Sequence, residues 1–114
     1  MTSGAVRGSA LLSAEQVEQL PWEDLHGVQG VRTRVLWRSG SSLAGMLLLE
    51  PGSVIPPHAH PTGHHHVHVV SGSCRIREHV LDEGGYAHVP AGQQHGTEAV
   101  GGRECHLFYL YLDD

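Results

Sequence analysis

At 114 residues the chain has the length of one domain with a modest core, and its formal charge of −5 comes from twelve acidic and seven basic residues, every basic one an arginine. No run of like charge supplies the concentrated basic surface a nucleic-acid partner requires, and no apolar run reaches the roughly 18–20 residues that span a bilayer. Cys74 and Cys105 are too few and too far apart for a small disulfide-held scaffold, so both are read as free thiols. With no charged-then-apolar leader pattern at the N-terminus, a cytoplasmic location is expected.

Taken in order, residues 1–10 are small and polar and read as a mobile arm. Ser13-Ala14-Glu15-Gln16 fits a capping box, which predicts a helix to about Leu20, stopped by Pro21. Trp22 and Leu25 are expected to anchor this N-terminal segment, residues 1–30, on a barrel formed by residues 31–114.

From Val31 the hydrophobic period changes to two. Val31, Thr33, Val35 and Trp37 share one face of a predicted strand, and Arg32, Arg34 and Arg38 share a solvated one. Leu43 to Glu50 is a continuous apolar run, short enough for a strand buried on both faces. Pro51-Gly52 is a turn, and Pro56-Pro57 forces extended backbone into the first histidines. In His64 to Val70, His65, Val67 and Val69 lie on one face, and His64, His66, His68 and Val70 on the other. Ser71-Gly72 turns the chain into a strand from Cys74 to Val80, Asp82 to Gly85 is a hairpin signal, and Tyr86 to Val89 is a short strand closed by Pro90-Ala91-Gly92. Gly101-Gly102 leads to a last strand, Glu104 to Leu112. About seven short strands with Gly/Pro turns and one short helix predict an all-β sandwich or barrel.

The chemistry concentrates between Gly52 and His68, which holds six of the eleven histidines. His58 and His60 are two apart, so on extended backbone both rings leave one face, about 6.6 Å apart at the backbone. His65 follows the Pro61-Thr62-Gly63 turn, and His95 must come from a distant strand. Four neutral imidazoles suit Fe, Mn, Co, Ni, Cu or Zn and suit Mg or Ca poorly. His64 or His66 is an alternative third ligand, but His65 shares its face with Val67 and Val69, as an apolar interior demands. His64, His66 and His68 are therefore read as outward.

These residues resemble the two motifs of the cupin superfamily. The first runs Gly, five residues, His-x-His, three or four residues, Glu, six residues, Gly; here Gly52, His58-Ala59-His60, His65 and Gly72 stand at that spacing. The second runs Gly, five residues, Pro-x-Gly, two residues, His, three residues, Asn; here it reads Gly84, Pro90-Ala91-Gly92, His95 and Ala99. His65 in place of Glu and Ala99 in place of Asn are the two departures. The resemblance implies a single-domain cupin β-barrel (a double-stranded β-helix or jelly roll) with one divalent transition metal on His58, His60, His65 and His95. It is similar to small cupins with a four-histidine site. Replacing a carboxylate ligand by an imidazole raises the net charge of a divalent site from +1 to +2, which acidifies bound water further and favours anionic or enolate-like ligands.

Three functions follow as expectations. The first is a mononuclear oxygenase or related oxidoreductase of the dioxygenase type, acting on a small organic substrate. The second is a metal-dependent isomerase, lyase or hydrolase, with Tyr86, His88 and Glu98 as acid/base candidates. The third is a non-catalytic module that binds a small ligand or senses metal, since the fold alone does not decide among them. His88, near the Pro90 turn, is also a candidate to support the ligands. Cys105, Phe108, Tyr86 and Tyr109 could line the cavity, but the phase of their strands is not fixed by the sequence. His26, His79 and His106 read as ordinary surface or packing residues. A homodimer is the expected assembly, with a small molecule as ligand and neither nucleic acid nor membrane as partner.

Overall fold

The structure, a computed structural model, describes residues 5–6, 9–60 and 62–113. The predicted mobile arm falls partly outside the described residues; within it, β1 (Ala5–Val6) pairs antiparallel with β2 (Ser9–Ala10). The capping box at Ser13 forms as read. The Ser13 hydroxyl accepts from the Gln16 amide at 3.1 Å, and the Gln16 side chain accepts from the Ser13 amide at 2.8 Å. With its first amides satisfied, α1 runs Ala14–Glu18, the one helix among the described residues.

Ten further strands make two antiparallel sheets. One has the order β10 (Tyr86–Val89), β7 (His64–Ser71), β12 (Cys105–Leu112), β5 (Ser42–Leu49), β4 (Val31–Ser39), β3 (Glu23–Asp24). The other has the order β6 (Val54–His58), β11 (His95–Val100), β8 (Ser73–Ile76), β9 (His79–Leu81). This is the expected all-β jelly roll. The core lies between the sheets, built on Val31, Leu49, Val69, Cys74, Cys105 and Leu107, all almost fully buried. Leu25 and Val28 of the N-terminal segment pack against it. Cys74 and Cys105 are free and buried side by side, one from each sheet. The hydrogen bond it donates to Cys105 and burial hold the Cys74 thiol well above its ordinary range, so it stays protonated.

Several local readings change. The predicted Cys74–Val80 strand is broken into β8 and β9 by a turn at Arg77, whose φ of 57° no continuing strand tolerates. Asp82 to Gly85 does not close a hairpin: it carries the chain from one sheet to the other, since β9 and β10 belong to different sheets. The segment after Gly92 holds a strand, β11, that alternation did not reveal. On β4, Leu36 is an extra residue between the Val35–Gly45 and Trp37–Ala44 pairs. That bulge reverses the parity, so Trp37 leaves the inner face and is 38% exposed. Nor is the arginine face uniformly solvated. Arg34 is buried, its guanidinium lying 4.2 Å from the Trp22 ring centre, with Glu18 at 3.9 Å.

Gly72 shows how tightly the sheets are joined. It turns the chain from β7 into β8 at φ +81°, and a Cβ there would strike the Glu104 carbonyl oxygen and stand 2.9 Å from Cys105 Cα.

Candidate metal centre

Two strands from the four-stranded sheet and one from the six-stranded sheet converge on the histidines. On β6 and β11, His58 and His95 are directly paired, while the next pair is Ile55 with Thr97. Between these pairs β6 spends two residues, Pro56 and Pro57, against one, Gly96, on β11. Prolines, which have no amide hydrogen to give the ladder, sit at such a bulge without loss, and the bulge turns His58 and His95 inward. A Cβ on Gly96 would lie 2.8 Å from the Ile55 carbonyl oxygen and 2.9 Å from the Pro57 nitrogen, so the bulge requires glycine there.

His58, His60 and His95 each bring one ligand nitrogen to within 4.8 Å of the others, a group that could hold a metal ion. The ring centres of His58 and His95 are 4.4 Å apart and those of His58 and His60 5.0 Å apart. His65 arrives from β7 across the gap between the sheets. Its ring centre is 4.5 Å from that of His60, and its Nδ1 lies 3.2 Å from His95 Nε2. The structure thus brings all four predicted ligands together, with His58, His60 and His95 as the tight set and His65 against it.

Burial disfavours the charged form of His60, His65 and His95. It is the main cause that pushes His65 down to about 3, with the nearby His60 and His95 adding to it. Burial followed by His58 lowers both His60 and His95. Neutral imidazoles are the form that binds a metal. Two further details fit one. The buried Nε2 of His60 has no hydrogen-bond partner among the described residues. His58 Nδ1 lies 3.0 Å from the Pro56 carbonyl oxygen, and donation there leaves the Nε2 lone pair for a metal.

The histidines stand in a cavity of about 160 Å³, lined otherwise by apolar side chains such as Leu25, Leu47 and Val89, and by Thr97 and Tyr109. Tyr109 comes from β12, and its hydroxyl lies 3.1 Å from that of Thr33. Gly45 leaves the room for that phenol: a Cβ there would be 2.7 Å from the Tyr109 oxygen. Tyr111, two residues on, has its ring centre 4.9 Å from His60 and 5.0 Å from His65, and donates to the Thr62 carbonyl at 2.7 Å. The sequence reading did not single out Tyr111. Its parity with Tyr109 was available, but β12 is apolar on both faces and gave no phase.

The acid/base candidates are not at this cavity. Tyr86 and His88 project from the outer face of β10, where both are exposed. Glu98 lies outward on β11 and accepts from Arg75 at 2.9 Å. Of the other proposed lining residues, only Tyr109 reaches the cavity. Phe108 has the opposite parity on β12, and Cys105 lies in the core below. No helix among the described residues is long and apolar enough to cross a membrane.

The family model of the ChrR cupin-like domain matches residues 13–112. No curated protein sequence matches the chain. Among solved structures, an RmlC-like cupin from Shewanella frigidimarina is similar at a TM-score of 0.75 and 23% identity, over 85% of this chain and 86% of that one. The polyketide cyclase RemF from Streptomyces resistomycificus gives 0.76 and 19%, over 89% and 79%. A chain in the complex of Rhodobacter sphaeroides SigE with the anti-sigma ChrR gives 0.72 and 25%, over 84% of this chain and 50% of that one.

Proposed function

Because this chain belongs to the ChrR cupin-like domain family, with an inward histidine cluster as its chemical centre, we infer that it is a mononuclear metalloprotein of the oxygenase or oxidoreductase type, acting on a small organic substrate. His58, His60, His95 and His65 would hold one divalent transition metal, in keeping with their imidazole donors. When bound, such an ion supplies Lewis acidity and, where redox-active, a route for electrons between substrate and O₂.

The observation that carries this reading is what the cavity lacks. Among the described residues its lining contains no Asp, Glu, Lys or Arg, and outside the histidines the one lining side chain of acid/base use among them is the Tyr109 phenol. An isomerase or hydrolase needs a positioned proton carrier within hydrogen-bond reach of the substrate, which Tyr86, His88 and Glu98 are not placed to be. Chemistry that rests on the metal needs less. The remaining residues bind and orient: the apolar walls exclude water, Leu25 closes part of one side, and Tyr109, held by Thr33, offers one hydrogen bond to a substrate oxygen. About 160 Å³ holds on the order of five waters, so the substrate is small or enters only in part. The proposal carries a homodimer as assembly and a small molecule as partner. It carries no nucleic acid, in keeping with a buried Arg34 and an Arg75 already paired to Glu98.

A second reading is supported by the family description and by the 25% identity to a chain of the anti-sigma complex: a non-catalytic module that binds a small ligand or metal for regulation. Oxygen uptake separates the two. The Fe(II)-loaded protein is expected to consume O₂ with at least one class among enolisable diketones, catechols and thiols, and His95→Ala is expected to consume none. Saturable binding of a panel member by the wild type without oxygen consumption would sink the oxygenase reading and favour the regulatory one.

A further inference from the structure

The outward histidines of β7, read from sequence as a solvated face, do not stand apart from one another. β7 and β10 are antiparallel neighbours with His66 directly opposite His88, which puts the two Cβ atoms about 5 Å apart on the same face. His64 is two residues along β7 and shares that face. The ring centres are 4.8 Å apart for His66 and His88, 5.0 Å for His64 and His88, and 5.1 Å for His64 and His66. His64 Nδ1 lies 2.8 Å from His88 Nε2, so the two already share a proton. Tyr86, on the same face of β10, places its hydroxyl 2.6 Å from His66 Nδ1. Donation from that Nδ1 to the phenol oxygen leaves His66 Nε2 as a lone pair, as an outer partner does for a metal-bound histidine.

We propose that His64, His66 and His88 form a second metal site, on the outer face of the six-stranded sheet, which takes a Zn(II)-class ion through three imidazoles and leaves one position open. One nitrogen from each lies within 4.8 Å of the others. A tetrahedral Zn–N distance of about 2.0–2.1 Å asks for nitrogens roughly 3.3 Å apart, which rotation of surface rings supplies. The metal takes the place of the proton now shared by His64 and His88. Imidazole donors select Zn, Ni, Cu or Co over Mg and Ca. The site shares no ligand with the inner centre and does not depend on it.

The untagged, metal-stripped full chain is titrated with Zn(II) against a chromogenic chelator. The wild type is expected to take one equivalent more than the His64→Ala/His88→Ala double variant, whose unfolding in urea should stay close to the wild type because His88 is exposed and His64 half-buried. That difference is the test whether or not the inner centre fills: the His58→Ala/His95→Ala double variant reports on the inner centre alone and should keep the outer equivalent. Tyr86→Phe should retain the outer equivalent with affinity about 10- to 100-fold weaker. Equal uptake by the wild type and the outer variant would overturn the site. So would an outer contribution of half an equivalent with zinc-dependent pairing of two chains, which would make it a contact between molecules.

Discussion

The inner and outer histidine clusters share β7, where alternate residues serve opposite faces, yet they are different constructions. His65 points into the gap between two sheets and meets His58 and His95 from strands that arrive by long-range pairing, and His60 just beyond the end of β6. His64 and His66 meet His88 on one two-stranded ladder. The inner group is held by the closure of the whole barrel, and burial lowers the pKa of His60, His65 and His95. The outer group is held by local register and remains close to water. Similar ring separations therefore carry different dependencies: the inner site should fail when the sheets shift, and the outer one only when its own ladder does.

Gly96→Ala is the strongest way to break that contrast. The added Cβ would meet the Ile55 carbonyl and the Pro57 nitrogen at the bulge that aims His58 and His95. An overpacking cost of about 1–3 kcal/mol is expected in urea unfolding. Metal bound at the inner centre should fall with it, while the outer equivalent stays. Loss of both together would show that the outer cluster is no more local than the inner.

Acid is the next test, and it bears on the inner cluster. His65 is held near 3 in the folded chain against about 6.5 in the unfolded one. Between those values the unfolded state binds more protons, so stability of the metal-free protein rises with pH through that window and levels off above about 6.5. His60 and His95 are shifted in the same direction. Urea midpoints of the metal-free protein should therefore fall as pH drops below about 6.5. His65→Ala should flatten the slope.

Tyr109→Phe is expected to have a smaller effect. It removes a single hydrogen bond, to Thr33, at a cost of about 1 kcal/mol, without altering the cavity's shape. Metal content should be kept, and under the oxygenase reading the oxygen-uptake rate should fall.

How much of this was legible in the sequence follows the same division. The resemblance to the two cupin motifs placed His58, His60, His65 and His95 together, on the spacing of Gly52, Gly72, Gly84 and Pro90-Ala91-Gly92. Parity put His65 inside and His64 and His66 outside. It could not show that His88 lies opposite His66, because β8 and β9 intervene in the other sheet and the pairing of strands about twenty residues apart leaves no local mark in the sequence. Trp37 was misplaced for a related reason. Leu36 is an ordinary apolar residue, and nothing in its identity announces the bulge that reverses the face. Arg34 looked solvated because its cover, Trp22, comes from a segment whose docking the alternation of β4 does not encode. Tyr86 and Glu98 were attractive as acid/base groups by type; only strand phase, fixed by pairing, sends them outward.

His68→Ala gives the smallest expected effect and the sharpest control. His68 shares the outer face and the strand of His64 and His66, is exposed, and stands opposite Tyr86. It has no place in the outer triad, so abundance of histidine and membership of a site make different predictions for it. Its removal should change stability by less than about 0.5 kcal/mol, as for surface positions generally, and leave zinc uptake at wild-type level. If His68→Ala lowered uptake as much as His88→Ala, the outer face would be binding metal through its density of imidazoles, and the register of β7 on β10 would not be what builds the site.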